Sequence, residues 1–282
     1  MPSIAKPASP LGVDVTTRHF IEVPQGTLHY ATTGTGPPVL LLHQTPRSWN
    51  EYRTVLPLLA PHFRAIAMDT IGFGDSSKPP LGNDSIEYWA QTAISLLDAM
   101  GIERLSVIGH HTGAVIAIEM AASHPDRIEA AVLSAAPLID ADFRMRHAGP
   151  ARIDNAVCSS DGSHLVELWR GRQPWYPTGD IDLLNHFIID ALKAGARAAG
   201  GHAVVARYRM ETRLPLIHCP TLLIAPTADP HAYPSAQPLA RAIANSRLVE
   251  IDGGMVPLPE QMPERFTERV TEFLLSVRER LA

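Results

Sequence analysis

The sequence lacks the features that mark disulfide-stabilised, secreted or membrane-embedded proteins. Cys158 and Cys219 are the only cysteines in 282 residues, too few for a disulfide framework or a zinc ribbon. No stretch approaches the run of roughly 18 apolar residues that a membrane-spanning helix needs. The segment from Met1 to Val13 has no apolar run of the kind found in secretory signals. These absences favour a cytoplasmic protein that does not enter a membrane.

Positive charge is also scarce, which argues against nucleic acid as a partner. Lys and Arg number 24 against 29 for Asp and Glu, so the net charge is −5, and no cluster of basic residues offsets it. Apolar residues make up 45% and charged residues 19%, as in ordinary folded domains. A chain of this length buries a substantial core, as one large α/β domain or two small domains.

Short apolar runs alternate with helical spacing along most of the chain. The segments 18–23 and 27–32 are amphipathic and flank a turn, which predicts a β-hairpin at a sheet edge. Buried strands are predicted from apolar runs at 38–43, 65–69, 105–108, 130–134, 221–225 and 248–251. Because helical spacing lies between these runs, we expect a mostly parallel sheet with helices on both faces.

The alternation is interrupted once. From 138 to about 215 the strand signal stops, and scattered helical patterning takes its place. We therefore expect an α/β core formed by about residues 14–137 and 216–282, with a helical cap inserted at 138–215. Helices are predicted from about 48 to 59, from 112 to 123 and, at the end of the pattern, from about 263 to 280.

Four motifs lie where strands of such a sheet end, which is where ligands bind in open α/β folds. They are HQTPRSW at 43–49, DTIGFGDSSKP at 69–79, GHHTG at 109–113 and TLLIAPTADP at 221–230. Together they resemble the loops of α/β-hydrolases, especially epoxide hydrolases and haloalkane dehalogenases. The resemblance covers nearly the whole chain and implies an α/β-hydrolase fold, with GHHTG at the nucleophile elbow.

The catalytic positions implied by this resemblance are only partly filled. The elbow position that holds Ser, Cys or Asp in the family is His111, and the position that supplies the base is Met255. Asp229 alone matches, at the position of the triad acid. The last histidine in the chain is His231, so no realignment provides the usual base. A standard triad of nucleophile, base and acid is therefore not expected.

His111 itself has the reach and the setting of a catalytic base. It precedes a predicted helix, whose dipole disfavours a positive charge on the imidazole and so favours its proton-accepting form. Its ring is predicted to lie within about 3.5 Å of an Asp229 oxygen, directly or through one water. The resemblance also implies an oxyanion hole formed by the backbone N–H of Thr112 and that of Gln44 or Thr45.

Substrate contacts are expected from residues on the same loops and in the cap. The candidates are His43, His110, Trp175, Tyr176, Tyr233 and Met255. The two histidines have a second interpretation as hydrogen-bonded structural groups, and the cap aromatics have one as a small core of their own. Adjacent histidines point in different directions, and no spacing matches a zinc motif, so neither a metal nor a cofactor is expected.

Three functions stay open for a protein with this set of residues. The first is hydrolysis of a small ester or lactone, with His111 as nucleophile or general base and Asp229 as its partner. The second is a cofactor-independent lyase acting by decarboxylation or C–C cleavage, and the third is a non-catalytic protein that binds an apolar small molecule. Epoxide hydrolysis and dehalogenation fit less well, because the resembling families use an Asp nucleophile where this chain has His111. In each case the partner is a small molecule, and the oligomeric state is unknown.

Overall fold

A computed structural model describes residues 15–149, 153–154 and 158–281. The strands are β1 (Thr17–Val23), β2 (Gly26–Thr33), β3 (Pro38–Leu42), β4 (Arg64–Met68), β5 (Leu105–His110), β6 (Ile128–Ser134), β7 (Thr221–Pro226) and β8 (Ser246–Ile251). They form one sheet in the order β1-β2-β4-β3-β5-β6-β7-β8. The predicted hairpin of β1 and β2 lies at one edge, and β2 also pairs antiparallel with β4. All other neighbours run parallel, which confirms the predicted α/β architecture.

The central strands are apolar throughout because helices cover both faces of the sheet. Alternate residues of β3 point to opposite sides, with Leu40 and Leu42 in one apolar cluster and Val39 and Leu41 in the other. The first cluster includes side chains of helices α2 (Ile86–Ala99) and α3 (Thr112–Ser123), and the second includes those of α1 (Val55–Leu59) and α10 (Pro263–Leu281). The sheet therefore buries both faces, and its carboxyl edge is left for a binding site.

The segment between β6 and β7 is helical wherever it is described. Its helices are α4 (Ala141–Arg146), α5 (Ser163–Arg172), α6 (Ile181–Ala194) and α7 (Arg197–Val205). The described part of this segment contains no strand, as predicted, and its role as a cap stays a prediction. Among the helices of the described residues, none is long and apolar enough to cross a membrane.

Short helices account for the main differences from the predicted elements. The single helix expected at 48–59 is a 3₁₀ turn, Trp49–Tyr52, followed by α1, because Pro57 has no N–H to donate to the carbonyl of residue 53. Helices α8 (Ala236–Ala242) and α9 (Leu258–Gln261) were not predicted, since each is brief and contains a proline. The expectation for Met1 to Val13 and the core boundary at residue 14 lie outside the described residues.

A buried arginine joins the segment between β6 and β7 to the core. Arg47, in the loop after β3, donates from Nε to Asp190 Oδ2 on α6 at 2.9 Å. Its Nη1 forms an ion pair with Glu260 on α9. Ser48 adds a hydrogen bond of 2.8 Å to the other Asp190 oxygen. Three parts of the chain that are distant in sequence are thus held at one point next to the β3 loop.

Candidate active site

His111 lies at a strained turn between β5 and α3. Its backbone angles are φ 46° and ψ −111°, a region that residues with a side chain rarely adopt. The turn is possible because a Cβ on Gly109 would lie 2.2 Å from the Gly113 carbonyl oxygen, and one on Gly113 would lie 1.9 Å from that of Leu42. Glycines therefore allow the helix to begin directly against the sheet, with His111 at the sheet's carboxyl edge.

The ring of His111 is paired with a buried carboxylate. Its Nε2–H donates to Asp229 Oδ2 at 2.7 Å, which confirms the predicted distance. The other Asp229 oxygen accepts the N–H groups of His231 at 2.9 Å and Ala232 at 3.2 Å. Burial raises the pKa of Asp229, but the charge and hydrogen bond of His111 and the His231 N–H outweigh it and bring the pKa to about 2. Asp229 therefore stays ionised at neutral pH, and a neutral His111 ring carries its free lone pair on Nδ1.

His110 is fully buried and has a structural role. Its Nε2–H donates to the Val256 carbonyl at 2.8 Å, and its Nδ1 accepts the hydroxyl of Ser134 at 2.9 Å. Burial, followed by the neighbouring charge of His111, lowers the pKa of His110 to about 3. The neutral His110 ring therefore links the end of β5 by a hydrogen bond to the loop that carries Met255.

Burial of a neutral His110 predicts a loss of stability on the acidic side. The unfolded chain binds a proton at about pH 6.5 while folded His110 stays neutral down to about pH 3, so stability falls as pH falls between these values. One such group contributes up to about 1.4 kcal/mol per pH unit. Urea unfolding measured between pH 7 and pH 5 gives the free energy of unfolding at each pH. This free energy should fall less steeply with decreasing pH in His110→Asn than in wild type. The exposed His62→Gln serves as control, and equal slopes for His110→Asn and wild type would contradict the prediction.

The loop after β3 offers one of the two predicted oxyanion donors. The N–H of Gln44 donates to Glu51 Oε2 at 2.9 Å, and the Gln44 side-chain amide donates to Oε1 at 2.6 Å. Gln44 is therefore corrected from a candidate donor to a residue that shapes the loop, and Thr45 remains. Thr112 begins α3, so its N–H lies in the first turn, where no helix carbonyl accepts it. Thr45 and Thr112 both line the cavity described next.

His43 fixes the direction of this loop and is not among the residues that line the cavity. Its Nδ1–H donates to the Gln44 carbonyl at 2.8 Å, and its Nε2 accepts the N–H of Thr70 at 3.0 Å. Burial lowers the pKa of His43, consistent with a neutral ring that both donates and accepts.

A cavity of about 1200 Å³ opens above His111. Gln44, Thr45, His111 and Thr112 form its floor, and residues of α4, α5 and α7 form much of its wall. Six residues predicted to bind substrate are not among the lining residues, namely His43, His110, Trp175, Tyr176, Tyr233 and Met255.

Packing explains why the predicted aromatic residues do not line the cavity. Tyr176 is buried against Phe187, with ring centroids 5.9 Å apart, and so belongs to the apolar core. Trp175 packs on His231, with ring centroids 4.5 Å apart. The Tyr233 hydroxyl donates to Glu250 at the surface. Met255 is half-buried, and its N–H is held by Gln261 at 2.7 Å.

Comparison with known proteins agrees with this fold. A family model described as alpha/beta hydrolase fold matches residues 37–157. A hydrolase from Pseudomonas aeruginosa PA01 superposes with a TM-score of 0.76 at 26% identity, over 91% of this chain and 98% of that one. This chain has the α/β-hydrolase fold. An enol-lactonase from Burkholderia xenovorans LB400 shares the fold at 23% identity, with a TM-score of 0.77 over 91% of this chain and all of that one.

The curated relatives that this chain matches include an epoxide hydrolase and a haloalkane dehalogenase. Soluble epoxide hydrolase from Corynebacterium sp. (strain C12) is 39% identical over 113 residues, 40% of this chain and 39% of that protein. Haloalkane dehalogenase 2 from Mycobacterium tuberculosis (strain CDC 1551 / Oshkosh) is 34% identical over 185 residues, 66% of this chain and 58% of that protein. In both cases the chain spans less than two thirds of the relative's own length.

The acidic residues of the loop after β4 hold the loop in its turn and do not line the cavity. Asp69 Oδ2 accepts the N–H of Asp75 at 2.8 Å and also bonds the His29 ring at 2.8 Å. Among the described residues, these three form the one group of His, Cys, Asp or Glu compact enough to hold a metal ion. Arg18 and Lys193 already pair with Asp75, each at 2.5 Å. We therefore assign the group to anchoring the loop.

Several cavity residues were not identified from the sequence. Arg172 on α5, His202 on α7 and His231 beside Asp229 all line the cavity, as does Asp154. They lie in stretches without strand periodicity, where the sequence gives no register from which to infer facing side chains. The one usable signal was the number of histidines, 13 in the chain.

Proposed function

We propose that this α/β-hydrolase cleaves a small ester or lactone, with His111 as general base and Asp229 as its orienting partner. The observation that carries the proposal is the position of His111. A strained backbone turn presents its ring to a large cavity, and a buried carboxylate fixes the ring at 2.7 Å. Strain of this kind is retained where function requires it.

The hydrogen bond to Asp229 favours proton transfer over covalent catalysis. Because Nε2 is held by the carboxylate, the available lone pair is on Nδ1, next to the Cβ of the residue. A proton can reach this crowded atom more easily than an acyl carbon can. His111 as nucleophile is therefore the second choice, and an acyl adduct on the enzyme would reveal it.

The proposed reaction uses three groups on the cavity floor. His111 Nδ1 takes a proton from water while the water oxygen bonds to the carbonyl carbon of the ester. The carbonyl oxygen becomes an oxyanion, which the N–H groups of Thr45 and Thr112 stabilise. The C–O bond then breaks, and the leaving alkoxide takes up a proton. Helices α4, α5 and α7 would act as the cap, because their residues line the cavity wall above this floor.

The activities of the relatives are less favoured for this chain. In the resembling families an aspartate attacks the epoxide or the haloalkane, and a histidine helps water to clear the adduct. With an imidazole at the elbow and Met255 at the base position, an alkyl adduct would persist. A panel of activated and alkyl esters, lactones, enols, epoxides and haloalkanes tests this choice. Turnover confined to epoxides or haloalkanes, or no turnover at all, would contradict the proposal.

Restoring the missing residue types should create a conventional hydrolase. We expect the double variant His111→Ser with Met255→His to hydrolyse an activated ester such as p-nitrophenyl acetate, because Asp229 is already buried and ionised. His111→Ser alone lacks a base, and Met255→His alone keeps the imidazole at the elbow. Each single variant should therefore show little gain over its parent, measured as kcat/KM. Equal activity in all three variants would show that the elbow is not the reaction site.

A further inference from the structure

A second histidine–aspartate pair lies in the wall of the cavity. His202 Nε2–H donates to Asp154 Oδ2 at 2.8 Å. Arg172 binds the same carboxylate through two nitrogens, with its Nε 2.9 Å from Oδ1. The Asp154 side chain is 1% exposed, whereas that of His202 is 28% exposed. The pair thus has a buried anion and an imidazole that reaches the open space of the cavity.

Helix α7 holds His202 close to the oxyanion loop. A Cβ on Gly201 would lie 2.4 Å from the Thr45 Cγ2 atom, so α7 rests directly on Thr45 at the residue before His202. His202, Thr45 and His111 all line one cavity. Burial lowers the pKa of His231, whose N–H binds Asp229; the charge of Asp229 opposes this, and the charges of His111, Arg172 and His202 lower the pKa further. The two histidine–aspartate pairs therefore share one electrostatic environment.

We propose that His202 is the general acid that protonates the leaving oxygen during ester cleavage, which rests on the hydrolase function proposed above. In its charged form His202 has one N–H on Asp154 and a second, on Nδ1, to give. When the C–O bond of the tetrahedral intermediate breaks, its electron pair stays on the leaving oxygen, and the Nδ1 proton moves to that oxygen. His202 becomes neutral and is reprotonated by solvent, to which His111 returns the proton it took from water.

The surroundings of His202 suit a group that cycles between charge states. Burial raises the pKa of Asp154, but Arg172 and the hydrogen bond of His202 bring it to about 2, so the carboxylate is present to stabilise the imidazolium. Among the described residues, Asp154, Arg172 and His231 are charged or titratable groups that interact with His202, and Glu167 and His111 line the same cavity. Arg172 pairs with Asp154 and keeps the carboxylate in place, while Asp154 Oδ2 still accepts the hydrogen bond of His202. His111 is fixed at the elbow by Asp229, so a second residue such as His202 is suited to act as the general acid.

The test compares two esters of the same acid with different leaving groups. p-Nitrophenolate departs without a proton, whereas ethoxide needs one, so only the ethyl ester should depend on the acid. We expect His202→Gln to lower kcat/KM for the ethyl ester by about 10²–10⁴-fold and for the p-nitrophenyl ester by only a few-fold. The retained p-nitrophenyl activity also reports that the variant is folded. His164→Gln, a histidine of α5 that does not line the cavity, should leave both rates unchanged.

The outcomes separate this proposal from the one on which it rests. Equal losses on both esters, or no loss on either, would overturn the role of His202 while leaving the hydrolase function intact. Wild-type protein that cleaves no ester or lactone of the panel would overturn both proposals, and lactone cleavage without cleavage of the ethyl ester would overturn the role of His202 alone. A loss confined to the ethyl ester supports the role of His202 as general acid.

Discussion

Replacing His111 by Gln should reduce kcat for ester hydrolysis by about 10²–10⁴-fold, the usual cost of losing a general base. Glutamine keeps a polar side chain that can still donate to Asp229, but it cannot accept a proton from water. The cavity and the oxyanion N–H groups of Thr45 and Thr112 remain. KM and the affinity for a product-like ligand should therefore change little. Steady-state kinetics combined with calorimetric binding measures both effects.

Two comparisons make the result specific to His111. His231→Ala alters the same cavity wall without touching the ring that accepts the proton, so its loss should be smaller. His111→Ala also removes the base, so its loss of kcat should match that of His111→Gln. Near wild-type turnover by both His111→Gln and His111→Ala would refute the catalytic role.

Replacing Arg47 by Met should lower the free energy of unfolding by about 3–5 kcal/mol, as expected when one partner of a buried ion pair is removed. Arg47 has no exposed surface, and pairing with Glu260 and Asp190 raises its pKa further despite burial. Without it, buried Asp190 loses its cation and Glu260 keeps only its ion pair with Arg53. Glu51 also loses the charge that opposes its protonation. Burial already raises the pKa of Glu51 to about 7.

Urea unfolding at two pH values tests this prediction. At pH 5 Glu51, whose pKa burial raises to about 7, is more fully protonated than at pH 8. The loss of the Arg47 charge should therefore matter less at pH 5, and the stability difference from wild type should narrow. Arg104→Met is the matched control, because Arg104 is exposed and lies 3.9 Å from Glu129, where an ion pair contributes at most about 1 kcal/mol. A loss in Arg47→Met no larger than in this control would contradict the assigned role.

The sequence predicts those features that depend on short-range pattern. Continuous apolar runs identified the buried strands, and the helix expected from Thr112 to Ser123 has those bounds in the structure. The pairing of His111 with Asp229 was predictable because both follow parallel strands whose carboxyl ends share one edge of the sheet. In such a sheet, position along the chain translates directly into position at the edge.

Features set by packing between helices were not predictable in this way. Asp154, Arg172 and His202 meet only after three separate segments pack together, and no strand register fixes which sides face each other. The same uncertainty explains Tyr176, since an aromatic residue in a helical segment can face a cavity or a core with equal sequence support. The role of Gln44 could not be predicted either, because it depends on the hydrogen bond to Glu51, which only the folded loop reveals.

The close packing of α7 against Thr45 has a consequence for directed evolution of this protein. Any side chain at Gly201 would have to displace Thr45, so a library that varies this position should yield mostly inactive clones. Arg146 and His147, at the end of α4, are exposed and line the opposite part of the wall. Variants with an altered substrate range should therefore carry substitutions at Arg146 or His147 and should retain Gly201.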